Sequence, residues 1–305
     1  MNKIKQPIFI VGVGRSGTSL LMSMLNSYPR IVFPPEFHFI RRYIASNKEI
    51  DLGKLKKDKY LKRLSISKII KKLKKQKNLN WVLVYKTILK EYLNRKEGDL
   101  IGDKDPKNIE YLPIIYKLFP QARILHIIRD PRDVFLSRQK AEWSKDKNWF
   151  SQIMAYRIQY KIGRRNGKKY FGNNYYELRY EDLIRKPKVT LKRICKKIKI
   201  DYKPQMLQFS KSAKEIMSKE EEEWKKETTG PLLSNNFQKW RDSLSRKKIV
   251  LIENLCQKVF EDGFYKKEYP LTLLEKIKLS LLNIIANILE YFYVMILNYK
   301  QRNLK

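Results

Sequence analysis

The segment Gly12–Ser19 reads GVGRSGTS, which packs three glycines, an arginine and three hydroxyl side chains into eight residues. A glycine-rich turn between a strand and a helix aims backbone N–H groups at one point, and the helix N-terminus adds positive potential there. The chemistry of such a loop is anion binding. The spacing is one residue type away from G-x-x-x-x-G-K-[ST], the loop that cradles nucleotide phosphates. Thr18 stands in the place of the lysine, and Arg15 sits three residues earlier. Chemistry at a γ-phosphate needs that lysine and a metal held by Ser/Thr and a further Asp, so the loop points to a different anion. A tight strand-to-helix turn without a ligand is the alternative. A second basic segment is HIIRDPRDVFLSR, residues 126–138. Arg129 offers a planar fork for phosphate oxygens, and Ser137 adds a hydroxyl donor from the next helix. The alternative for Arg129 is a surface pairing with Asp130 or Asp133.

These residues need a frame. IFIVGV (8–13) and ARILHIIRD (122–130) are apolar runs rich in β-branched residues, the pattern of strands buried on both faces. Shorter strands are expected at 31–33, 99–106 and 174–183. Helices are expected at 18–27, 81–93, 108–120 despite Pro113, 131–143 with Pro131 at its start, 148–166, 188–199, 204–218 and 245–261. Strands alternating with helices predict an α/β fold, a parallel sheet flanked by helices in three layers. No internal repeat or clean linker divides the chain. Residues 1–268 are read as one α/β domain, in which 48–78 forms a lysine-rich, solvated helical insertion. Residues 269–305 are read as a C-terminal amphipathic helix.

The paired motifs resemble those of the sulfotransferases that use 3′-phosphoadenosine 5′-phosphosulfate (PAPS), a P-loop-type fold. In that family the 5′-phosphosulfate loop carries a basic residue followed by Ser-Gly-Thr-[ST], and RSGTS at 15–19 matches it. The resemblance implies that Arg15, Ser16, Gly17, Thr18 and Ser19 hold the 5′ end of the co-substrate. It implies that Arg129 and Ser137, eight residues apart, hold its 3′-phosphate. RYEDLIRKP (179–187) resembles the family's strand-to-helix stretch and places Tyr180 near the adenine. TTGPLLSNNFQKWRDSLS (228–245) resembles the late loop over the nucleotide, preceded by Lys225 and Lys226. The likeness runs from about residue 7 to 265 and is strongest at 8–36 and 101–140.

Sulfuryl transfer to a hydroxyl needs a base near the acceptor and positive charge on the leaving phosphate. The motifs are most similar to the tyrosylprotein and carbohydrate branch, where a glutamate after the short second strand is the base. That implies Glu36 as base, with His38 two residues on as the reserve candidate. The same branch implies that Lys104 in KDP (104–106) approaches the transferring group, together with Arg15. His126, inside a core strand, is read as structural. No metal is expected, since a sulfuryl group needs less neutralisation than a γ-phosphate. The acceptor expected by analogy is a hydroxyl of a carbohydrate or a peptide tyrosine. The rivals are a P-loop small-molecule kinase and a non-catalytic nucleotide- or polyanion-binding protein.

The bulk composition narrows the partners. Lys and Arg number 67 against 31 Asp and Glu, a formal charge of +36. The excess is mostly lysine spread along the chain, and no nucleic-acid-binding signature accompanies it, so no specific nucleic-acid partner is expected. Two cysteines exclude a disulfide framework, and with only two histidines beside them the chain barely has the ligands a zinc site needs. The first strand begins near Pro7, which leaves no room for an apolar targeting segment before it. A cytoplasmic protein is therefore expected. From Leu279 to Tyr299 there is no Lys or Arg, a length near that of a membrane span. Ser280, Asn283, Asn287, Glu290 and Asn298 recur there at helical spacing, and an intramembrane Glu is costly. The amphipathic helix is expected to pack on the domain, to pair with another chain, or to lie peripherally on a membrane, with a true span as the remaining alternative.

Overall fold

The computed structural model describes residues 6–46, 49–141, 144, 148–216 and 226–302. Strands β1 (Ile8–Gly12), β2 (Ile31–Val32), β3 (Leu100–Lys104), β4 (Arg123–Ile128) and β5 (Tyr175–Arg179) form one parallel sheet in the order β2-β3-β1-β4-β5. β1 is buried along its whole length, as its unbroken apolar run requires. Successive side chains point to opposite faces. Phe9 and Val11 therefore join Val84, Ile88 and Leu89 of helix α5 (Trp81–Arg95) on one side. Ile8 and Ile10 join Leu21 and Leu25 of helix α1 (Thr18–Asn26) on the other. Each of these side chains contributes about 1.5–3 kcal/mol by leaving water. The result is a three-layer α/β fold, as the alternating pattern predicts.

The segment before α5 holds three short helices in succession, α2 (Leu52–Lys57), α3 (Lys59–Lys62) and α4 (Ile66–Leu73). The stretch is helical, as its sequence suggests, and its apolar residues add to the core. The lysines are exposed, but Leu55, Leu61, Ile66, Ile69, Ile70 and Leu73 sit in the same core cluster as Phe9. Isoleucines and leucine at i, i+3, i+4 and i+7 give α4 a single apolar face, and that face closes one layer of the domain.

Several boundaries differ from the sequence reading; the helix expected at 245–261, for one, is two helices, Arg246–Leu255 and Gln257–Glu261. The helix expected over 108–120 is a tight 3-10 stretch, Pro106–Tyr111, followed by α6 (Leu112–Leu118). Pro113 lacks an N–H and is accommodated in the first turn of a new helix rather than inside one. Helix α7 (Pro131–Gln139) starts at Pro131, with the Asp130 side chain capping the Arg132 N–H, but ends four residues short of the expected 143. Helix α8 runs from Trp149 to Phe171, well past 166. β5 stops at Arg179, and Tyr180 already opens α9 (Tyr180–Arg185), followed by α10 (Pro187–Lys197) and α11 (Phe209–Ile216). His126 is fully buried in β4 with Nδ1 2.5 Å from the Tyr175 hydroxyl, the structural place expected of it. Cys195 and Cys256 are buried free thiols.

The C-terminal segment forms one helix, Leu273–Arg302. It does pack on the domain, but with its polar stripe inward. Asn283, Asn287 and Glu290 all bond the buried Arg157 of α8.

Candidate active site

Register brings the chemistry together. β1 lies between β3 and β4, and all three run parallel, so their C-terminal ends share one rim. The connection after β1 runs toward β2 and the one after β4 toward β5, in opposite directions, and such a switch point, here between β1 and β4, is where open α/β sheets form their ligand crevice. Ile10 pairs with Lys104, the last residue of β3, and Gly12 pairs with Ile127, two residues before Arg129. Ile128 pairs with Arg179, which sets Arg129 beside Tyr180.

The loop after β1 turns sharply. Arg15 and Gly17 adopt left-handed φ values of 78° and 95°, and for Arg15 this conformation is unusual. The Ser16 N–H donates to the Val13 carbonyl at 3.0 Å. α1 then begins at Thr18 with no side-chain cap, so its first N–H groups keep their capacity for an outside acceptor. Gly17 is required twice. Besides its φ, a methyl group there would fall 2.4 Å from Cδ2 of Tyr180. The aromatic ring thus lies directly against the loop.

Arg15, Arg129, Ser137 and Tyr180 come together. Arg15 Nε donates to Ser137 Oγ at 3.0 Å, and Arg129 Nη1 donates to the Arg15 carbonyl at 3.1 Å. The Arg129 guanidinium stacks over the Tyr180 ring at 4.3 Å from its centroid. Asp130, offered as a pairing partner of Arg129, is instead held by Arg132 at 2.7 Å. Two buried polar atoms here, Ser16 Oγ and Arg129 Nε, have no hydrogen-bond partner among the described residues. Buried donors are normally satisfied, so both atoms could serve oxygen atoms of a ligand at this rim.

Glu36, Lys104 and Ser19 form a second group. Lys104 is 1% exposed and ion-pairs with Glu36 Oε2, while its ammonium lies 3.3 Å from Ser19 Oγ. His38, at a left-handed φ of 55°, stands 3.4 Å from Glu36 Oε1 and 2.9 Å from Asp105 Oδ2. Arg41 also reaches Asp105 at 3.2 Å. Burial pushes the Asp105 carboxyl up, but the hydrogen bond and charge of His38 and the charge of Arg41 outweigh it and hold Asp105 below the usual carboxylate range. Burial pushes neighbouring Asp103, despite its hydrogen bond from Tyr85, up to about 7. Glu36, His38 and Asp105 bring three donor atoms within 4.8 Å of one another, a set that a cation could use. Lys104 and Arg41 already set positive charge against both carboxylates, so the group reads as an ion-pair network.

The sequence reading missed several residues here. The backbone carbonyl of Asn236, a residue 2% exposed, accepts from Arg129 Nη2 at 3.2 Å, and its side-chain amide donates to the Tyr180 hydroxyl at 2.9 Å. Arg138, one residue after Ser137, holds the Gly14 carbonyl at 3.3 Å and the Gln152 carbonyl at 3.0 Å. Burial lowers its pKa to about 10, which leaves it charged at neutral pH. Asp133 accepts the Gln238 and Trp240 N–H groups at 2.7 and 3.2 Å, pinning the late loop to α7. Nothing in local spacing marks Asn236, since it meets Arg129 only through the folded late loop. Lys225 and the side chain of Lys226 lie outside the described residues.

Residues 7–204 match the family model described as the Sulfotransferase family, and the chain belongs to that family. It is 26% identical over 214 residues to protein-tyrosine sulfotransferase A of Caenorhabditis elegans, covering 68% of this chain and 53% of that protein. It is 22% identical over 277 residues to an uncharacterized protein of Aquifex aeolicus, covering 87% of this chain and 34% of that protein. The chain thus spans between a third and about half the length of these curated relatives. The solved sulfotransferase domain from the curacin biosynthetic pathway superposes with a TM-score of 0.65 at 19% identity, covering 88% of this chain and 100% of that domain. That likeness shows the shared fold.

Proposed function

We propose that this chain transfers a sulfuryl group from PAPS to a hydroxyl of an acceptor, a carbohydrate or a peptide tyrosine. The observation that carries the reading is the pair of orphaned buried donors, Ser16 Oγ and Arg129 Nε, on one rim with the Glu36–Lys104 ion pair. Those donors, the uncapped start of α1 and the Arg15, Arg129 and Ser137 side chains suit a nucleotide bearing phosphate at both its 5′ and 3′ ends. PAPS bound there supplies the sulfuryl group. The N–H groups of residues 16–19 and the Arg15 side chain hold its 5′ end. Arg129 and Ser137 hold the 3′-phosphate, and Tyr180 packs beside the adenine. Glu36 takes the proton of the acceptor hydroxyl on a carboxylate oxygen. Lys104 and Arg15 offset the charge that develops on the leaving phosphate. The named activity of the Caenorhabditis relative supports a peptide tyrosine among the acceptors.

Isothermal titration with 3′,5′-adenosine bisphosphate, set beside ADP and heparin, tests the co-substrate. Tight binding of the bisphosphate alone is expected. A magnesium-dependent preference for ADP would instead indicate a small-molecule kinase, and binding of heparin alone a non-catalytic polyanion-binding protein. Transfer of labelled sulfate from PAPS to a panel of glycans and tyrosine peptides then identifies the acceptor.

A further inference from the structure

The helix Leu273–Arg302 is turned the opposite way from an ordinary surface helix. Polar bonds fasten it to the domain from its first turn to its last. Arg246 pairs with Glu275. Arg157, only 5% exposed, donates to Asn283 at 2.9 Å, Asn287 at 2.5 Å and Glu290 at 2.8 Å. Lys161 reaches Glu290 at 2.6 Å. Tyr293 and Gln301 donate to the Glu110 carboxylate and carbonyl at 2.8 and 2.9 Å. What faces outward is apolar. Leu274, Leu281, Ile284, Ile288, Phe292 and Met295 are 48–61% exposed. Tyr291 and Tyr299 are 67% and 69% exposed. Lys276 and Lys278 stand between Leu274 and the rest of this face, and Lys300 after it. Contiguous exposed apolar surface on this scale marks an interaction site.

We infer that this face is a docking surface for an anionic lipid bilayer, on which the helix lies in the plane of the interface. Three observations select that occupant. The outward face carries no charge between its flanking lysines, and its tyrosines have the apolar body and polar tip suited to the headgroup boundary. The chain carries a formal charge of +36, so an anionic leaflet attracts it, whereas a second copy would bring an equal positive charge against the first. The helix is long and apolar enough, by length and composition, to cross a membrane. A span would need lipid on all sides, however, and Arg157, Glu110 and Arg246 lie along its inner face. The protein is thereby placed peripherally on a negatively charged leaflet, the character of a cytoplasmic one.

The test uses the full chain with vesicles of phosphatidylcholine alone and of phosphatidylcholine with phosphatidylserine. Co-sedimentation is expected with the anionic vesicles, weakening as salt rises, and with release by alkaline carbonate. The variant Ile284→Gln/Ile288→Gln/Phe292→Gln is expected to lose vesicle affinity by more than about tenfold. Its melting temperature and nucleotide binding should be nearly unchanged, since those side chains are more than half exposed and lie outside the core cluster the helix joins. The inference is overturned if the native chain stays in the supernatant with both vesicle types. It is also overturned if binding resists carbonate as an integral span would, or if the variant breaks a lipid-free dimer while the native chain ignores lipid.

Discussion

Replacing Glu36 by glutamine keeps the volume and shape of the side chain and removes one charge. Glu36 faces Lys104, which is 1% exposed and 3.3 Å from Ser19 of the anion loop. Two effects follow, with opposite signs. Without a carboxylate to take the acceptor proton, kcat should fall about 10²–10⁴-fold, the usual worth of a general base. The Lys104 ammonium also loses the carboxylate opposite it. Unit charges 4 Å apart near a protein surface attract by at most about 4 kcal/mol, and solvent and rearrangement share much of that. A gain of about 1.4 kcal/mol in anion binding, or tenfold in Kd, is therefore the expected ceiling. Affinity for 3′,5′-adenosine bisphosphate should stay equal or rise, while turnover collapses. Lys104→Met should behave differently. It lowers turnover and nucleotide affinity together, and it destabilises the fold by about 3 kcal/mol because a mostly buried carboxylate loses its ammonium. Titration calorimetry and labelled-sulfate transfer to the best acceptor of the panel read both quantities. Turnover of Glu36→Gln within about tenfold of the parent would remove Glu36 as base and move the role to His38. A large loss of bisphosphate affinity in the same variant would refute the placement of Lys104 at the anion.

Three other outcomes can be measured. Arg129→Ala should cost about 1.5–3 kcal/mol against 3′,5′-adenosine bisphosphate and leave AMP binding nearly unchanged; equal losses for both ligands would separate Arg129 from the 3′-phosphate. Gly17→Ala combines a φ of 95° with a methyl group 2.4 Å from Tyr180. A loss of about 2 kcal/mol or more in urea unfolding is expected, together with weakened nucleotide binding. His126 is fully buried, and burial lowers its pKa from 6.5 to about 4. The unfolded chain therefore binds the extra proton between those values, and stability rises with pH from about 4 to 6.5, by about 3 kcal/mol from this residue. His126→Phe should flatten that limb of the urea-unfolding stability profile by a similar amount, and an unchanged slope would show that other groups set it.

Much of the fold was legible because its signals are local. The apolar runs at 8–13 and 122–130 predict buried strands, since a strand covered on both faces has no place for polar residues. Gly12–Ser19 predicts an anion loop from turn chemistry within eight residues. Helix ends were less legible. Pro113 and Arg179 show why, because a residue that starts one helix or ends a strand reads much like one inside it until its hydrogen bonds are known.

The sequence by itself determined the two apolar strands, the glycine loop and the presence of Arg15, Arg129 and Glu36, because each is written in neighbouring residues. Only the tertiary structure decided who meets whom. Parallel register sets Lys104 of β3 opposite Ile10 of β1 and near Ser19, and brings Asn236 to Arg129 across 107 positions of chain. It also decided which side of the last helix faces water. Polar residues at helical spacing ordinarily point outward, but Arg157 is buried and must be paired. Asn283, Asn287 and Glu290 turn inward to meet it, and the apolar face of the helix is left to the outside.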